Sequence, residues 1–223
     1  MKFFTIACTL LITAAVNCQV QFGVFGGPQV TDVRYIINGK RQESVLKYGV
    51  NLGAQLKVPF ENRLSFAPSV MYNLRGYKVK FDAPSFPPDS AAIDNNTRFH
   101  TVELGFLLQH DFNLQPGHFF LRFGPSLDFA LAGTEKFNSN SNGPVSRNMK
   151  FSFADYGHYL ASAILQFGYE ASNGLYFYGH YNYSLTTMNN FDGGPSIGNR
   201  AAGVCIGWYF SKNKLVLDTK NKE

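Results

Sequence analysis

Long runs of alternating apolar residues follow the first twenty positions of the chain and restrict its fold most. The clearest run is 48–60, where seven alternate positions from Tyr48 to Phe60 are all apolar. The stretch 119–131 repeats this pattern from Phe119 to Leu131. A period of two belongs to β-strands and excludes helices. Both runs exceed the usual strand length of about 5–6 residues in globular proteins, so we predict unusually long strands.

Six more segments behave in the same way, which gives eight predicted strands. These strands cover residues 20–30, 48–60, 64–77, 101–112, 119–131, 159–169, 175–185 and 201–210. Short turns at 61–63, 115–118 and 172–174 alternate with long polar loops at about 31–47, 78–100, 132–158 and 186–200. The third loop contains the run FNSNSNGP, for which we predict turns and no packing.

An even number of strands, with short turns at one end and long loops at the other, is typical of a bacterial outer-membrane barrel. A sheet in lipid must close, because no water is present to pair its backbone groups. We therefore predict an all-β fold, an eight-stranded antiparallel up-and-down transmembrane β-barrel. A secreted soluble barrel is the alternative. It would carry charges on its outer face, whereas the polar positions here are mostly Gly, Ser, Asn, Gln and single charges.

Composition agrees with this prediction. Only 16% of the residues are Asp, Glu, Lys or Arg, while Phe contributes 22, Tyr 12 and Gly 21. Average soluble domains have about 25% charged residues. The net charge of +5 does not predict a nucleic-acid partner, because the basic residues form no cluster along the sequence.

The first eighteen residues have the pattern of a secretory signal peptide. Lys2 precedes an uncharged, mostly apolar run at 3–16, too short for a spanning helix. We predict cleavage after Cys18, with a barrel domain at 19–210, a flexible periplasmic tail at 211–223 and a location in the cell outer membrane. Acylation of Cys18 is the competing interpretation, although Asn17 replaces the usual small residue before such a site. If Cys8 and Cys18 are removed, only Cys205 remains and no internal disulfide can form.

Aromatic residues lie near both ends of the predicted strands, and three prolines lie within them. Phe60, Phe112, Phe119, Tyr169 and Phe210 lie beside short turns or the chain end, and Tyr72, Phe129, Tyr159 and Tyr183 lie nearer the loops. We expect these sets to form two interfacial girdles. Pro28, Pro68 and Pro125 fall within strands, where we expect local bulges, because proline cannot donate to the ladder.

The sequence resembles the PorT-like outer-membrane β-barrel proteins of Bacteroidetes. The resemblance is carried by the first strand FGVFGG, the segment GPSLDF at Gly124–Phe129, the strand YGHYNYSLTTMNNF and the closing strand GVCIGWYF at Gly203–Phe210. It covers nearly the whole mature chain. It implies a barrel in the outer membrane and an accessory part in protein secretion.

Charged and polar side chains gather on the predicted lumenal face. They are Lys57, Arg75, Glu103, Asp111, Arg122, Asp128, His158, Gln166, Glu170 and His180. The interior of an eight-stranded barrel is just wide enough to be filled by side chains. We predict a plugged lumen in which buried charges pair, with Arg122 bound to Glu103 or Asp128.

Two other functions remain open from the sequence. His180 and Ser184, with Asn182 between them, resemble the histidine and serine of lipid A deacylases, which makes a lipid-modifying enzyme the first alternative. The two residues are four apart on one strand face, roughly 13 Å, too far for a nucleophile and its base. A narrow channel is the second alternative. The sequence predicts no catalytic residues, cofactor or metal site otherwise.

We expect function to lie in the outer loops. The loop with FDAPSFPPDSAAIDNN is rich in Pro and Asp, and binding residues commonly lie on loops. The sequence thus predicts a non-enzymatic barrel with a structural or partner-binding role in the envelope. Its expected partners are outer-membrane lipid, lipopolysaccharide and a protein bound at the outer loops.

Overall fold

The structure is a computed structural model that describes residues 20–210. The predicted signal peptide, Cys18 and the predicted tail at 211–223 lie outside the described residues. Among residues 20–210, no helical segment has the length and apolar character needed to cross a bilayer.

The described residues form a single antiparallel sheet. In chain order its strands are β1 (Gln21–Ile37), β2 (Lys40–Arg41), β3 (Glu43–Val45), β4 (Lys47–Glu61), β5 (Leu64–Lys80), β6 (Asp94–Asp111), β7 (His118–Ser139), β8 (Gly143–Asn148), β9 (Tyr159–Glu170), β10 (Leu175–Ser184) and β11 (Ser196–Tyr209). The long strands β1, β4, β5, β6, β7, β9, β10 and β11 each pair with their neighbours in that order. Pairing of β1 with β11, from Gly23↔Tyr209 to Ile36↔Ser196, closes the sheet. The prediction of an eight-stranded closed barrel is confirmed.

The strands continue well beyond the predicted boundaries at the end with the long connections, which we call the loop end. The opposite end, with the short connections, is the turn end. β7 continues past Leu131 to Ser139 and pairs there with β8, which follows a short turn. The prediction of long polar loops at 31–47, 78–100, 132–158 and 186–200 was therefore wrong in part, because strands extend into each of these ranges. FNSNSNGP forms the tip of the β7–β8 hairpin, and its Phe137 is buried.

Polarity changes sides along the extended strands, which explains why the sequence pattern hid them. In the lower part of β5, Phe66 and Val70 face outward. In the last four residues of β5, the apolar side chains of Tyr77 and Val79 face inward, while Lys78 and Lys80 face outward. The alternation continues without interruption, but the apolar face moves from the outside to the inside. At the loop end the apolar side chains therefore face the interior and the polar ones face outward, as in a water-soluble barrel, whereas the rest of the barrel has its apolar face outside.

The three prolines at which bulges were expected lie in regular register, so bulges at these positions are absent. Pro28 pairs with Val50, Pro68 with Phe106 and Pro125 with Ala163, each without a register shift. On the other side of each proline the ladder skips a few residues and resumes in the same register. Each proline therefore loses pairing to one neighbour only, and the other neighbour holds the strand in place. The observed bulges lie elsewhere, at Pro59/Glu61 and at His100/Thr101.

The aromatic residues predicted to form girdles face outward at both ends of the apolar belt. At the turn end, Phe119 stacks on Phe167 with ring centroids 5.8 Å apart and meets Tyr169 edge-on at 5.1 Å. Nearer the loop end, Phe129 and Tyr159 are in edge contact at 5.3 Å. Aromatic residues also fill the interior, where Tyr35, Tyr77, Tyr156, Tyr176, Tyr178 and Tyr209 are buried.

Glycine permits close strand contact at the closing seam. A side chain at Gly27 would collide with the carbonyl oxygen of Val204 on β11. Gly39 has φ of +80° and follows Asn38, which has φ of 48°, at the turn between β1 and β2. Asn-Gly with two positive φ angles is the preferred composition of a two-residue hairpin turn.

Candidate functional site

Charged side chains cluster inside the barrel at the turn end. The Lys57 ammonium lies 2.8 Å from Glu170 Oε2 and 3.0 Å from Asp111 Oδ2. The Nε2 atom of His118 lies 3.2 Å from Asp111 Oδ1, and Gln109 Nε2 donates to the same oxygen at 2.5 Å. Lys57 thus occupies the space between two carboxylates from different strands. Among residues 20–210, no group of His, Cys, Asp and Glu has the arrangement of a metal site.

Arg122 forms the middle layer of the lumen and has no exposed surface. Its guanidinium donates to Gln109 Oε1 at 2.6 Å, Gln55 Oε1 at 3.1 Å and Gln166 Oε1 at 3.2 Å. A fourth bond reaches the Tyr209 hydroxyl at 3.0 Å. The group also lies over the Phe120 ring, 4.1 Å from its centroid. A buried cation is therefore held by neutral oxygens and an aromatic face.

A third layer surrounds Arg75, nearer the loop end. Arg75 bonds Glu103 Oε2 at 2.6 Å and Asp128 Oδ2 at 2.7 Å. Both carboxylates accept further hydrogen bonds. Glu103 accepts from Asn73, Ser126 and Asn182 at 2.5–2.9 Å, and Asp128 accepts from Thr101 and Ser162 at 3.1–3.4 Å. A buried ion pair needs such additional donors to offset its loss of hydration.

One predicted pairing and one predicted lumenal position differ from the structure. Arg122 bonds neither Glu103 nor Asp128, because Asp128 lies six residues further along the same strand, roughly 20 Å away. Arg75 takes both carboxylates instead. His158 does not lie in the lumen: it precedes the first residue of β9 and is exposed, and its ring stacks on Phe151 at 5.1 Å. The alternation of β9 therefore does not apply to it.

Apolar side chains fill the lumen at the loop end, where the extended strands surround a buried cluster that we call the loop-end plug. Its members are Val33, Tyr35, Ile37, Tyr77, Val79, Phe81, Ala92, Phe99, Ala130, Phe137, Met149, Tyr156, Leu160, Met188 and Ile197. The segment 81–93 folds against this cluster, and the Tyr35 hydroxyl donates to the Pro87 carbonyl at 2.8 Å. Glu135 is buried beside it and accepts from Tyr156 at 2.9 Å and from Arg147 at 2.7 Å.

The possible catalytic pair is not brought together. His180 Nδ1 lies 3.7 Å from the Cys205 sulfur, whereas Ser184 Oγ lies 3.4 Å from Ser162 Oγ. Asn182, between them in sequence, binds Glu103. A cavity of about 10 Å³ beside Arg75 and His180 provides room for about one water molecule.

Residues that the sequence did not single out complete these layers. Gln55, Gln109 and Tyr209 hold Arg122, and His118 joins the Lys57 cluster. Alternation alone would have placed Gln55 and Gln109 inward, two residues from Lys57 and Asp111. The predicted lumenal set included Gln166 but missed these two glutamines. Nothing in the sequence indicated their common partner, because they come from different strands.

The outer surface at the loop end has a cleft of about 550 Å³. Strands β3, β5, β6, β7 and β8 form its floor, in that order across the sheet. Lys78, Lys80 and Lys136 line it, together with Glu43 and Asp94. This cleft lies outside the barrel wall and is separate from the lumen.

Comparisons with known proteins agree with this architecture. Residues 17–190 match the family described as outer membrane protein beta-barrel domain. No curated protein sequence is significantly similar to the chain.

Several solved structures are similar to the chain at low sequence identity. The attachment invasion locus protein Ail of Yersinia pestis has a TM-score of 0.43 and 16% identity over 85% of this chain and 99% of its own. Neisserial surface protein A has a TM-score of 0.44 and 13% identity over 85% and 97%. OprG from Pseudomonas aeruginosa has a TM-score of 0.43 and 11% identity over 86% and 97%. The family match covers most of the sequence, and the chain belongs to the outer membrane protein beta-barrel domain family.

Proposed function

We propose that this outer-membrane barrel is closed to solutes and acts by binding at its extracellular loop end. One observation carries the proposal: side chains fill the lumen from end to end. The Lys57 cluster, the Arg122 layer, the Arg75 layer and the loop-end plug follow one another along the barrel axis. A conducting pore needs a continuous aqueous path, which these layers leave no room for.

The extracellular end offers surfaces on which a partner can bind. Beyond the lipid-facing belt, the extended strands present the cleft of about 550 Å³. Phe153 is 96% exposed between β8 and β9. An apolar ring in water contributes little to the fold and is a common anchor in binding surfaces. These features support a binding role in the envelope.

Planar bilayer recording tests the closed lumen. The purified full-length protein, inserted into a bilayer, is expected to give no single-channel steps at voltages where an open porin gives them. Heat-modifiable gel mobility of the same sample verifies that the barrel is folded. Reproducible steps from a folded sample would favour the channel alternative.

Catalysis is not part of the proposal. His180 and Ser184 have different partners, and a serine nucleophile needs a base within hydrogen-bond reach, which supports leaving the deacylase alternative aside. Mass spectrometry of lipid A from cells with and without the gene provides the test. We expect identical profiles, and a change in acyl-chain number would overturn this part of the proposal.

A narrower role follows from the resemblance to PorT-like barrels. The chain would then assist protein secretion, with a protein partner on the loop-end surface. The exposed aromatic residues Phe153 and Phe191 support such a contact. Deletion of the gene should reduce the amount of secreted protein in the medium, and Phe153→Ser should reproduce part of that loss. Normal secretion in the deletion strain would exclude this role.

A further inference from the structure

Cationic residues surround one asparagine on the outer face of the extracellular sheet. The strand register places Val45, Lys78, Asn96, Lys136 and Ser146 in one row across β3, β5, β6, β7 and β8. Neighbouring strands are about 4.8 Å apart, so the two lysine backbones lie about 10 Å apart on either side of Asn96. Arg98 lies on the same face of β6, two residues nearer the membrane.

Lys47 adds a fourth cation to this group. Its ammonium donates to Asn96 Oδ1 at 2.8 Å and to the Thr97 carbonyl at 2.6 Å. Burial, together with repulsion from Arg98, Lys78 and Lys136, lowers the pKa of Lys47 to about 8. Lys47 lies above the lipid-facing belt, at the extracellular end of β4. We call Lys47, Lys78, Arg98 and Lys136 the cation cluster.

In the part of the chain that the structure describes, nearby carboxylates form no ion pair with the cation cluster. Asp94 accepts two hydrogen bonds from Asn138, at 2.6 and 2.8 Å, and Glu43 lies opposite Lys80 in the β3–β5 register. Some other cations outside the lumen do form ion pairs. Arg200 pairs with Asp32, and Lys40 lies 2.7 Å from Asp82. Among residues 20–210, no ion pair is formed by any member of the cation cluster. A concentration of positive charge without acidic partners favours an anionic ligand.

The height of the cluster above the membrane restricts that ligand. The row of Tyr72, Val102, Phe129 and Tyr159 marks the upper edge of the apolar belt. Arg98 and Lys78 lie four and six residues above this row, roughly 10–15 Å along the barrel axis for strands tilted by about 40°. Phospholipid headgroups extend only about 6 Å from the hydrocarbon. The cluster therefore lies at the level of a glycolipid's sugars.

Exposed apolar residues lie beside the cluster, at the same height on the barrel. Val45, Leu46 and Tyr48 are 55%, 61% and 85% exposed, beside Lys78 and Lys47. A soluble polyanion would leave these side chains in water, whereas a membrane glycolipid would cover them. The combination of cations and exposed apolar side chains at one height fits a glycolipid whose sugars carry anionic groups.

We propose that the cation cluster binds the phosphate groups of lipopolysaccharide in the outer leaflet. Lys78 and Lys136 bind a phosphate from both sides, and Arg98 and Lys47 add two further positive charges beside it. This inference rests on the proposed function in one respect, since it names a ligand for the extracellular end. It is independent of whether the lumen conducts.

Titration calorimetry of the full-length protein in detergent micelles tests the assignment. The probes are phosphorylated lipopolysaccharide, the same lipopolysaccharide after chemical removal of its phosphates, and inorganic polyphosphate. The variant Lys78→Gln/Lys136→Gln should bind phosphorylated lipopolysaccharide about tenfold more weakly, because each lysine near an anionic surface contributes to affinity. The wild type should lose affinity similarly when the phosphates are removed.

The control variant Lys40→Gln/Lys150→Gln removes the same charge from exposed positions outside the cluster. It should bind like the wild type. Heat-modifiable mobility verifies folding of each variant, and Arg98→Gln serves as a second test if the double variant does not fold. Equal binding by wild type and cluster variants would overturn the site. Lysine-dependent binding of polyphosphate without binding of lipopolysaccharide would overturn the lipid assignment. Neither result bears on conductance, so failure here is distinguishable from failure of the closed lumen.

Discussion

At the scale of single residues, two buried arginines perform different tasks. Arg75 neutralises Glu103 and Asp128, whereas Arg122 is held by three amide oxygens and a phenol. Removing one partner of a buried ion pair leaves an uncompensated charge, which is far more costly than leaving neutral acceptors unpaired. The two positions therefore predict different stabilities for the same substitution.

Arg75→Met should lower the free energy of unfolding by about 3–5 kcal/mol, because two carboxylates remain buried without a cation. Arg122→Met should cost about 1–3 kcal/mol, because its partners carry no charge and their amide groups can bond one another. Urea unfolding in lipid vesicles, followed by the fluorescence of Trp208, measures both.

A compensating variant separates charge from packing at the Arg75 layer. Arg75→Met/Glu103→Gln/Asp128→Asn removes all three charges and should recover most of the stability lost in Arg75→Met. If Arg122→Met proves as damaging as Arg75→Met, or the triple variant recovers nothing, this electrostatic description of the layers is wrong.

The sequence determined which residues face the lumen better than it determined their partners. Alternation from Phe119 onward places Arg122 and Asp128 inward, as observed. It carries no information on the height of one strand relative to another, so the predicted pairing of Arg122 with Glu103 was wrong. Asp128 lies six residues along the same strand as Arg122, too far for a direct bond. Arg75 and its carboxylates come from β5, β6 and β7, and only the register of those strands brings them together.

At the scale of strands, the change of polarity along β5 and β7 is the principal feature. Inward-facing Phe137 belongs to the loop-end plug, while its neighbour Lys136 faces outward. The sequence contains this signal, since Tyr77/Val79 and Gly133/Glu135/Phe137 continue the alternation. It was hidden because polar residues on the outer face there look like loop composition. The full strand lengths could therefore be predicted from the period-two alternation, but not from the hydropathy of these segments.

Phe137→Ala should destabilise the loop end. Removing a buried aromatic side chain costs about 3–5 kcal/mol when the cavity cannot collapse. We expect faster amide hydrogen exchange along 133–148, with little change in the lipid-facing part of β7. Lys136→Ala, on the opposite face of the same strand, provides the matched control and should leave exchange unchanged. Equal protection in Phe137→Ala and wild type would show that the plug does not hold the hairpin.

At the scale of the whole molecule, the barrel has two zones. The lower zone is apolar outside, as lipid requires, and its interior holds the charged layers together with a second buried aromatic and aliphatic cluster. The upper zone has a mostly apolar interior and an outer face rich in charged and polar side chains. Closure by β1 and β11 supports both, and Gly27 allows their close approach. The abundance of aromatic residues follows from this arrangement, because they serve both the lipid-facing belt and the interior.

The central claim is that the lumen is sealed, and a thiol in the barrel interior tests it most directly. Cys205 points into the lumen beside His180 and Asn51 and is 4% exposed. In a chain with Cys8 and Cys18 replaced by serine, a water-soluble maleimide should leave Cys205 unlabelled in folded barrels on intact cells. Denaturation should then permit full labelling.

The reference is Ser141→Cys in the same background with Cys205→Ser, because Ser141 is exposed at the tip of the β7–β8 hairpin. It should label within the reaction time of a free thiol. Protection of Cys205 until denaturation is the result predicted by a sealed barrel. Labelling of Cys205 in folded barrels at the rate of Ser141→Cys would contradict it.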